Sequence, residues 1–521
     1  MQSFAPQFSL PPALMLQGTC SNAGKSLLTA GLCRLLTRQG YNVAPFKAQN
    51  MSLNSFVTPD GGEMGRAQAL QAQACGLPPD VRMNPVLLKP TGDNGSQILL
   101  LGRPWGQMKA RDYMAAKKRL WREVTRSYAE LARGRDIMLI EGAGSPAEIN
   151  LRAGDIVNMR MARFAGANVL LVADIDRGGA FAALVGTLAL LTPRERACVG
   201  GLVLNKFRGD ESLLAPALER ISRKTGKPFV GTVPWLQGLA LPDEDSVSLK
   251  QTRAGAAPAH DRLDVAFIDL PRISNATDLD ALAAEPDVHV RPVREAATLG
   301  QPDCLILPGT RNTLADMRHL HESGLADAIG AYARTALTSG HGCLVGICGG
   351  LQMLGVHIED PLRLEDGGSV DGLKLLPIAT VLAREKTLRQ TQGHTLPPLT
   401  DSPLAVSGYE IHHGQSAVTS TGANCHTLLQ ANNGEALGFG LVGAGGVRVL
   451  GSYLHGLFDS DAFRHAFCQR LRKERNLPSQ APTRHDVGQA LDALADCLET
   501  HLDMEKILDT CGLPPRRANA K

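Results

Sequence analysis

The sequence predicts an α/β protein made of two successive domains, each built around a mostly parallel sheet. Apolar segments of strand length alternate with amphipathic helical segments over residues 14–235, and the alternation resumes over residues 263–458. A polar stretch rich in Ala, Gly, Ser and Pro, residues 243–262, separates the two series. Strands that alternate with helices form parallel sheets with helices on their faces, so we expect two such units joined by a linker.

The first strand and helix predict a phosphate-binding loop. Residues 14–17 are an apolar strand, and residues 27–36 carry leucines at helical spacing. Backbone N–H groups in a loop between such elements, together with the helix N-terminus, hold phosphate oxygens, while a lysine neutralises charge and a serine can ligate Mg²⁺. The residues predicted for these contacts are Gly18, Thr19, Gly24, Lys25 and Ser26.

The ends of other strands supply metal and charge candidates for the same site. Glu141 follows the buried strand of residues 136–140, which suits a Mg²⁺ ligand beside the phosphates. Lys47 and Glu63 fall where the second strand and the next helix should approach the phosphates. We expect Lys47 to neutralise the transferred phosphoryl group and Glu63, with Ser26 and Glu141, to hold the metal. A surface Lys or Glu is more often simply solvated, and this alternative stays open.

The phosphate-binding loop is longer than usual. Five residues separate Gly18 from Gly24, one more than in the common Walker A pattern, and the loop resembles that of dethiobiotin synthetase. Asn205 and Lys206 end a further strand and are similar to the adenine-reading Asn-Lys pair of related NTPases. Asp174 ends another strand at the edge where open α/β sheets bind ligands. The resemblance implies ATP as the nucleotide.

The second series of strands presents a candidate cysteine nucleophile. Cys348 stands between an apolar strand, residues 343–345, and a short helical segment, with glycines on both sides of the turn. A sharp turn of this kind exposes the thiol, and the helix N-terminus favours thiolate and offers N–H groups to an oxyanion. A lone cysteine between glycines is more often structural. His455 at the end of a distant strand, and the strand-end turn Gly309–Thr310, favour the catalytic interpretation.

These residues resemble the triad-type, or class I, glutamine amidotransferase domain. The nucleophile motif G-x-C-x-G-x-Q is met at Gly346, Cys348, Gly350 and Gln352. The resemblance implies that Cys348 attacks the glutamine side-chain amide and that His455 is the general acid and base. It places the oxyanion donors at Gly349 and in the Gly309–Thr310 turn.

The third member of the expected triad is not identified by spacing. The family usually has a glutamate two residues after the histidine, and this position is Leu457. Asp459 and Glu410 are possible substitutes, although neither spacing is persuasive. A backbone carbonyl, a water or a carboxylate from elsewhere remains as an alternative partner for His455.

Several longer segments form further motifs, in order over residues 12–470: residues 45–55, 62–69, 84–90, 141–150 and 408–414. Together they resemble the cobyric acid synthase family, the glutamine-hydrolysing amidotransferases of cobalamin biosynthesis. The resemblance implies a carbon–nitrogen ligase that uses ATP and Mg²⁺ to activate corrinoid carboxylates, which ammonia from glutamine then converts to amides. It implies adenosylcobyrinic acid a,c-diamide as the substrate, amidated at its b, d, e and g positions.

Domain bounds follow from the strand pattern and the resemblance together. We expect an ATP-dependent P-loop amidoligase domain at residues 1–242, a linker at 243–262, a class I glutamine amidotransferase domain at 263–460 and a helical C-terminal extension at 461–521. Within the second domain, the polar residues 384–403 predict an exposed loop without strands.

Composition restricts the classes of partner. A formal charge of +3 over 521 residues disfavours bulk nucleic-acid or anionic-membrane binding, and no apolar run reaches membrane-spanning length. Eleven cysteines without a C-x-x-C pair, and no export signal, predict a cytoplasmic protein with small-molecule substrates. Two other functions stay open: a cobyrinic acid a,c-diamide synthase, and a P-loop switch ATPase with an inactive glutaminase-like domain.

Overall fold

The computed structural model describes residues 8–92, 95–236, 239, 241, 261–419, 425–514 and 516. The chain divides into two compact units. The first contains Met1–Ser52, Gly62–Glu244 and Asp486–Lys521, and the second contains Leu53–Gly61 and Asp245–His485. Most of the predicted linker, residues 243–260, lies outside the described residues.

The described strands, numbered along the chain, are β1 Ala13–Gly18, β2 Val43–Phe46, β3 Gln49–Met51, β4 Ser55–Val57, β5 Glu63–Gly65, β6 Val86–Gly92, β7 Gly95–Leu100, β8 Arg103–Lys109, β9 Ile137–Glu141, β10 Asn168–Asp174, β11 Val199–Phe207, β12 Phe229–Pro234, β13 Leu263–Ile268, β14 Val288–Val293, β15 Cys304–Leu307, β16 Cys343–Ile347, β17 His357–Asp360, β18 Gly368–Asp371, β19 Ile378–Thr395, β20 Ala405–Val418, β21 Cys425–Ala431, β22 Ala436–Gly443 and β23 Gly446–Ser452.

The described α-helices are α1 Lys25–Arg38, α2 Arg66–Ala74, α3 Ala110–Ala132, α4 Met159–Ala165, α5 Ala180–Leu190, α6 Pro193–Ala197, α7 Ala215–Thr225, α8 Asp280–Ala283, α9 Thr313–Glu322, α10 Leu325–Ser339, α11 Gly349–Leu354, α12 Asp461–Glu474, α13 Val487–His501 and α14 Met504–Thr510. Among these helices, none combines the length and the apolar character that crossing a bilayer requires.

The first unit is built on a six-stranded sheet in the order β12-β11-β10-β1-β9-β2. All of its strand pairs are parallel, as the alternation of strands and helices predicts. Its central strands are buried along their whole length, which explains their uninterrupted apolar sequences. The register pairs Leu16 with Glu141 and Asp174 with Asn205, so the polar strand ends meet at one edge of the sheet. A second, mixed sheet has the order β3-β6-β7-β8.

The C-terminal helices are divided between the two units. Helices α13 and α14 belong to the first unit, where Leu494 and Leu498 pack in the same apolar cluster as Leu32 of α1. Arg34 of α1 forms an ion pair with Asp492 of α13 at 2.8 Å. Helix α12 belongs to the second unit, because its apolar side chains enter that core. The helices after residue 460, which share one run of helical periodicity, therefore pack in two different hydrophobic cores.

The second unit is built on an 11-stranded sheet. Strands β14, β13, β15, β16 and β23 are neighbours in that order and are parallel, while β22 and β21 extend the sheet in antiparallel fashion. Strand β16 ends before Cys348 and pairs with β23, which ends before His455. This pairing aligns Ile347 with Ser452, so two residues distant in sequence leave the sheet side by side.

The prediction of a strandless loop over residues 384–403 is wrong. Strand β19 continues to Thr395 and pairs with β20 in antiparallel register, from Leu388 opposite Ile411 to His394 opposite Ala405. Much of this stretch of β19 is only partly buried, so its side chains lack the apolar and polar alternation that marks a strand with one face in the core. Backbone pairing with β20 defines the strand instead.

Candidate active site

The nucleophile lies on a strained turn between β16 and α11. Cys348 has φ +52° and ψ −105°, a conformation that few non-glycine residues adopt, and its N–H donates to the Ser452 carbonyl at 2.7 Å. The turn packs so closely on the neighbouring strand that a Cβ on Gly350 would lie 1.9 Å from the Leu307 carbonyl oxygen. The glycine of the motif is therefore required by packing, and the turn holds the thiol at the N-terminus of α11.

Cys348, His455 and Gly309 come together at the carboxyl ends of three adjacent strands. A Cβ built on Gly309 would lie 3.1 Å from His455 Cε1 and 3.8 Å from Cys348 Cβ. The His455 side chain is 1% exposed, and its backbone exchanges hydrogen bonds with Tyr409 at 2.9 and 3.1 Å. The Tyr409 ring stacks on the imidazole with 5.2 Å between the ring centroids. The fold therefore brings the predicted cysteine and histidine close to each other, and their catalytic roles stay predictions.

Asp278 occupies the position of the third triad member. Its Oδ2 lies 2.7 Å from His455 Nδ1, and its Oδ1 accepts the Gly456 N–H at 2.8 Å. Because a carboxylate only accepts, Nδ1 carries the proton and Nε2 is left for the chemistry. Burial lowers the pKa of His455, but electrostatic interactions and hydrogen bonds with Asp278 and Cys348 outweigh it and raise this pKa to about 10. The imidazolium is therefore stabilised beside the nucleophile.

The sequence did not identify Asp278. It lies 177 residues before His455, in the turn Ala276–Leu279 that follows β13, so no spacing rule connects the two. The only signal in the sequence is a run of polar residues, Ser274 to Asp278, interrupted by one alanine, that begins six positions after the end of β13. Such runs are common in loops, and only the fold shows which carboxylate reaches the histidine.

Of the two carboxylates considered from the sequence, Glu410 bonds to other side chains, and Asp459 lies in the turn after His455. Glu410 accepts from Arg389 Nε at 2.6 Å and from Thr391 Oγ1 at 2.7 Å. Burial raises the pKa of Glu410, but hydrogen bonds from His412, Arg389 and Thr391 outweigh it and lower this pKa to about 2. Asp459 lies in the turn Leu457–Asp459, where its N–H donates to the Gly456 carbonyl.

A neighbouring loop holds the Gly309–Thr310 peptide, which the sequence predicts to supply an oxyanion donor. The Gly309 carbonyl accepts the Ser274 N–H at 2.9 Å. Because a trans peptide directs its N–H opposite to its carbonyl, the Thr310 N–H faces away from Ser274. A Cβ built on Gly349 would lie 3.1 Å from Thr310 N, so the backbone at Thr310 approaches the residue that follows Cys348. Oxyanion stabilisation by the N–H groups of Thr310 and Gly349 stays a prediction.

In the first unit, the predicted phosphate loop joins β1 to α1. Gly24 caps α1 with φ +92°, and a Cβ there would collide with the Asn205 amide at 2.1 Å. The Thr19 N–H donates to the Val172 carbonyl at 2.9 Å, which anchors the loop that begins at Gly18 to β10. Lys25 Nζ donates to the carbonyls of Cys20 at 3.0 Å and Gly144 at 3.3 Å. The lysine is thereby held over the loop that it is predicted to serve.

Glu141 is the centre of a buried polar cluster at the start of α1. Its Oε1 accepts from Ser26 Oγ and from Lys47 Nζ, both at 2.7 Å. Its Oε2 accepts from the side-chain amides of Gln71 at 2.6 Å and Gln68 at 3.2 Å. Three sequence candidates are therefore brought together. The two glutamines were assigned no role from the sequence, although their spacing of three residues places them on one face of α2.

The remaining sequence candidates of the first unit make other hydrogen bonds. Asn205 Nδ2 donates to the Ala23 carbonyl at 2.9 Å, and Lys206 Nζ donates to the Asn22 carbonyl at 2.7 Å and to Asp174 at 2.9 Å. These residues support the phosphate loop, and nucleotide-base recognition by Asn205 and Lys206 stays a prediction. Glu63 is fully buried and accepts from Lys89 Nζ at 2.5 Å. Metal binding by Glu63 also stays a prediction.

Family models match both halves of the chain. Residues 14–248 match the CobQ/CobB/MinD/ParA nucleotide binding domain, and residues 264–463 match the CobB/CobQ-like glutamine amidotransferase domain. These matches agree with the phosphate loop in the first unit and the cysteine–histidine pair in the second.

Three curated relatives match over nearly their whole length. A cobyric acid synthase of Nitratidesulfovibrio vulgaris is 50% identical, with 97% of this chain and 98% of that protein covered. Cobyric acid synthases of Pelotomaculum thermopropionicum and Moorella thermoacetica are each 48% identical, with 97% and 96% of this chain and 97% of either relative covered. The chain therefore belongs to the cobyric acid synthase family of cobalamin biosynthesis, which are glutamine-hydrolysing carbon–nitrogen ligases.

Proposed function

We propose that this enzyme converts adenosylcobyrinic acid a,c-diamide to adenosylcobyric acid by amidating the b, d, e and g carboxylates with ATP and glutamine. The shared name of the full-length relatives supports the substrate. The observation that best supports the proposal is that one chain contains two sets of reactive groups. These sets are Cys348–His455–Asp278 and Ser26–Glu141–Lys47. The first set suits ammonia release and the second suits phosphoryl transfer.

The geometry around Cys348 supports the proposed glutaminase reaction. The thiolate attacks the side-chain amide carbon of glutamine, and the N–H groups of Gly349 and Thr310 stabilise the oxyanion. His455, protonated at Nε2 and held at Nδ1 by Asp278, gives its proton to the departing ammonia. The same ring, now neutral, takes a proton from the water that hydrolyses the glutamyl thioester.

The charged residues around the phosphate loop support the proposed ligase reaction. A corrinoid carboxylate oxygen attacks the γ-phosphorus of ATP, ADP leaves and an acyl phosphate forms, while Lys25 and Lys47 offset the charge on the transferred phosphoryl group. Magnesium, when bound with the nucleotide, would screen the phosphate charge. It needs few protein ligands, and the adjacent oxygens of Ser26 and Glu141 fit that requirement. Ammonia then attacks the acyl carbon, and phosphate leaves as the amide forms.

Product analysis tests this proposal. The purified enzyme is incubated with ATP, MgCl₂ and glutamine, together with either adenosylcobyrinic acid a,c-diamide or cobyrinic acid, and the products are identified by mass spectrometry. We expect conversion of the a,c-diamide through successive amides to adenosylcobyric acid, with ADP and phosphate formed in step. Amidation of cobyrinic acid only at its a and c positions would instead identify the sister synthase and contradict the proposal.

A further inference from the structure

Helix α2 places two glutamines in the interior of the nucleotide-binding unit. Gln68 and Gln71 are both fully buried, with 0% of each residue exposed. Moving an amide from water into a protein interior costs free energy unless new hydrogen bonds replace those to water. A spacing of three residues puts the two side chains on the same face of the helix, so the groups that they contact indicate the role of this face.

Both amides donate to one oxygen of a single carboxylate. Glu141 Oε2 accepts from Gln71 Nε2 at 2.6 Å and from Gln68 Nε2 at 3.2 Å. Glu141 Oε1 accepts instead from Ser26 Oγ and from Lys47 Nζ, each at 2.7 Å. The two oxygens of this carboxylate therefore differ. Oε2 is held by α2, and Oε1 faces the serine and the lysine that are predicted to serve the phosphate site.

The amides orient Glu141 without adding a positive charge. An NH₂ group donates hydrogen bonds but carries no net charge, whereas a lysine or arginine at Oε2 would compete with a cation for the carboxylate. Partners of this kind hold a ligating carboxylate in place and raise its affinity for a metal ion. Among the described residues, no group of three or more His, Cys, Asp or Glu side chains could hold a metal ion. A metal at Glu141 would thus depend on few protein ligands, and their exact placement decides its affinity.

The orientation of the Gln68 amide is fixed by Asn50. Asn50 Nδ2 donates to Gln68 Oε1 at 2.9 Å, so the nitrogen of the same amide is directed to Glu141. The space beside this pair is filled, since a Cβ on Gly65 would lie 2.6 Å from Gln68 Oε1 and 2.7 Å from Asn50 Nδ2. Gln68 therefore has a partner at each end of its amide.

Gln71 differs from Gln68 at its amide oxygen. Its Nε2 also donates to the Ser26 carbonyl at 3.3 Å. Its Oε1 is buried and, within the part of the chain that the structure describes, has no donor at hydrogen-bond distance. Reversing the amide would turn the oxygen toward the Glu141 carboxylate and the Ser26 carbonyl, which are both acceptors. A buried acceptor without a donor is uncommon in a folded protein and points to a group that binds there.

A water on a metal ion is the donor that suits Gln71 Oε1. Magnesium keeps several of its waters when it binds beside phosphates, and such waters can only donate to nearby oxygens. The Gln71 amide contacts both Glu141 and Ser26, whose oxygens suit this ion. The acceptor of Gln71 is therefore within one amide group of the residues that would hold the metal.

We propose that Gln68 and Gln71 are positioning residues of the ligase site. Both hold Glu141 with Oε1 toward Ser26, and Gln71 also accepts a hydrogen bond from a water on the metal ion that accompanies ATP. The inference deepens the proposed function and rests on it for the nucleotide and the ion. It gives α2 a part in metal binding that neither the phosphate-loop motif nor the metal ligands predicted from the sequence include.

Gln71→Met tests the residue to which we assign both roles, because methionine has a similar length and suits a helix but has no N–H or carbonyl group. Gln73→Met, at an exposed position of the same helix, is the matched control. Binding of Mn²⁺, which stands in for Mg²⁺, is titrated by electron paramagnetic resonance with β,γ-imido-ATP present. We expect the Kd for Mn²⁺ to rise about tenfold or more in Gln71→Met, by less in Gln68→Met, and to stay unchanged in Gln73→Met.

Two further measurements separate weaker metal binding from damage to the fold. All three variants should bind ADP in EDTA as the unaltered enzyme does, because the glutamines act on the metal and not on the phosphate loop. In ammonium-driven amidation, Gln71→Met should need about tenfold more MgCl₂ for half-maximal rate and should recover most of kcat at saturating MgCl₂.

Three results would overturn the inference. The first is unchanged Mn²⁺ binding in Gln71→Met, and the second is a matching loss of ADP binding in EDTA, which would show a purely structural residue. The third is a larger effect of Gln68→Met than of Gln71→Met, which would remove the contact between Gln71 and a metal-bound water. The Mn²⁺ titration needs no corrinoid. Failure of the unaltered enzyme to amidate the a,c-diamide with ammonium salt would therefore contradict the proposed function, while the titration still decides the inference.

Discussion

In the nucleotide-binding unit, most of the residues predicted to contact phosphate belong to one contiguous motif, from Gly18 to Ser26. The other residues of this site, such as Glu141, lie at the ends of strands. In the glutaminase unit, Asp278, Cys348 and His455 come from three separate segments, and 177 residues separate the carboxylate from the histidine. A phosphate cradle uses consecutive backbone N–H groups, so it leaves a readable motif. A triad needs only that three side chains meet, so it leaves no fixed spacing.

The largest effect is expected when the nucleophile of the glutaminase site is removed, because this change should separate glutamine hydrolysis from the ligase reaction. Cys348→Ala should reduce glutamine-dependent amidation by on the order of a thousandfold or more, because no thioester can form. Activity with concentrated ammonium salt should persist, since exogenous ammonia bypasses the glutaminase. Cys468→Ala, at a buried thiol of the same unit whose pKa burial raises to about 12, is the control and should retain both activities. Loss of ammonium-driven activity in a folded Cys348→Ala enzyme would refute the separation.

The reverse experiment removes the ligase half. Lys25→Ala should lower amidation with either nitrogen source by roughly a hundredfold or more, because its charge is needed as negative charge shifts during phosphoryl transfer. Amidation is followed by product formation with glutamine and with ammonium salt. The exposed Lys224→Ala of the same unit should behave as the unaltered enzyme. Substantial ATP-dependent product from Lys25→Ala would show that the lysine has no role at the phosphates.

Asp278→Asn tests whether Asp278 is the third member of the triad. Glutamine hydrolysis should fall on the order of a hundredfold, because the asparagine can present the wrong group to Nδ1 and no longer stabilises the imidazolium. The negative charge of Asp278 raises the pKa of His455, so its removal lowers that pKa and the imidazolium is lost at lower pH. The alkaline limb of the pH profile of kcat/KM for glutamine should therefore move to lower pH. An unchanged rate and profile would exclude Asp278 from the triad.

The smallest expected effects concern the two carboxylates that sequence spacing suggested. Asp459→Asn and Glu410→Gln should each keep glutamine hydrolysis within roughly tenfold, about 1.4 kcal/mol of barrier. His455→Ala in the same assay should cost about a hundredfold or more, because general acid and base catalysis is lost. Steady-state hydrolysis is measured with ATP and corrinoid present. A collapse in either carboxylate variant, with the fold intact, would give that residue the role that we assign to Asp278.

Much of the fold was predictable because its strands are buried on both faces and therefore apolar, as in β1, β9, β10 and β16. Strand β19 was missed because much of it lies only partly buried and its side chains carry little signal. The helices after residue 460 were predicted from their periodicity, but α12 and α13 enter different cores, which periodicity cannot distinguish.

The chemistry that depends on local geometry is readable from the amino-acid sequence. The turn that carries Cys348 and the loop that ends in Lys25 and Ser26 are each specified by neighbouring residues, because a short backbone turn is formed by consecutive residues. The contact of Asp278 with His455, and the contacts of Asn275 with His455 and Ser55, are instead established by the folded chain. These contacts depend on which loops the sheet brings together, and hydrogen bonds between distant segments leave no periodic trace in the chain.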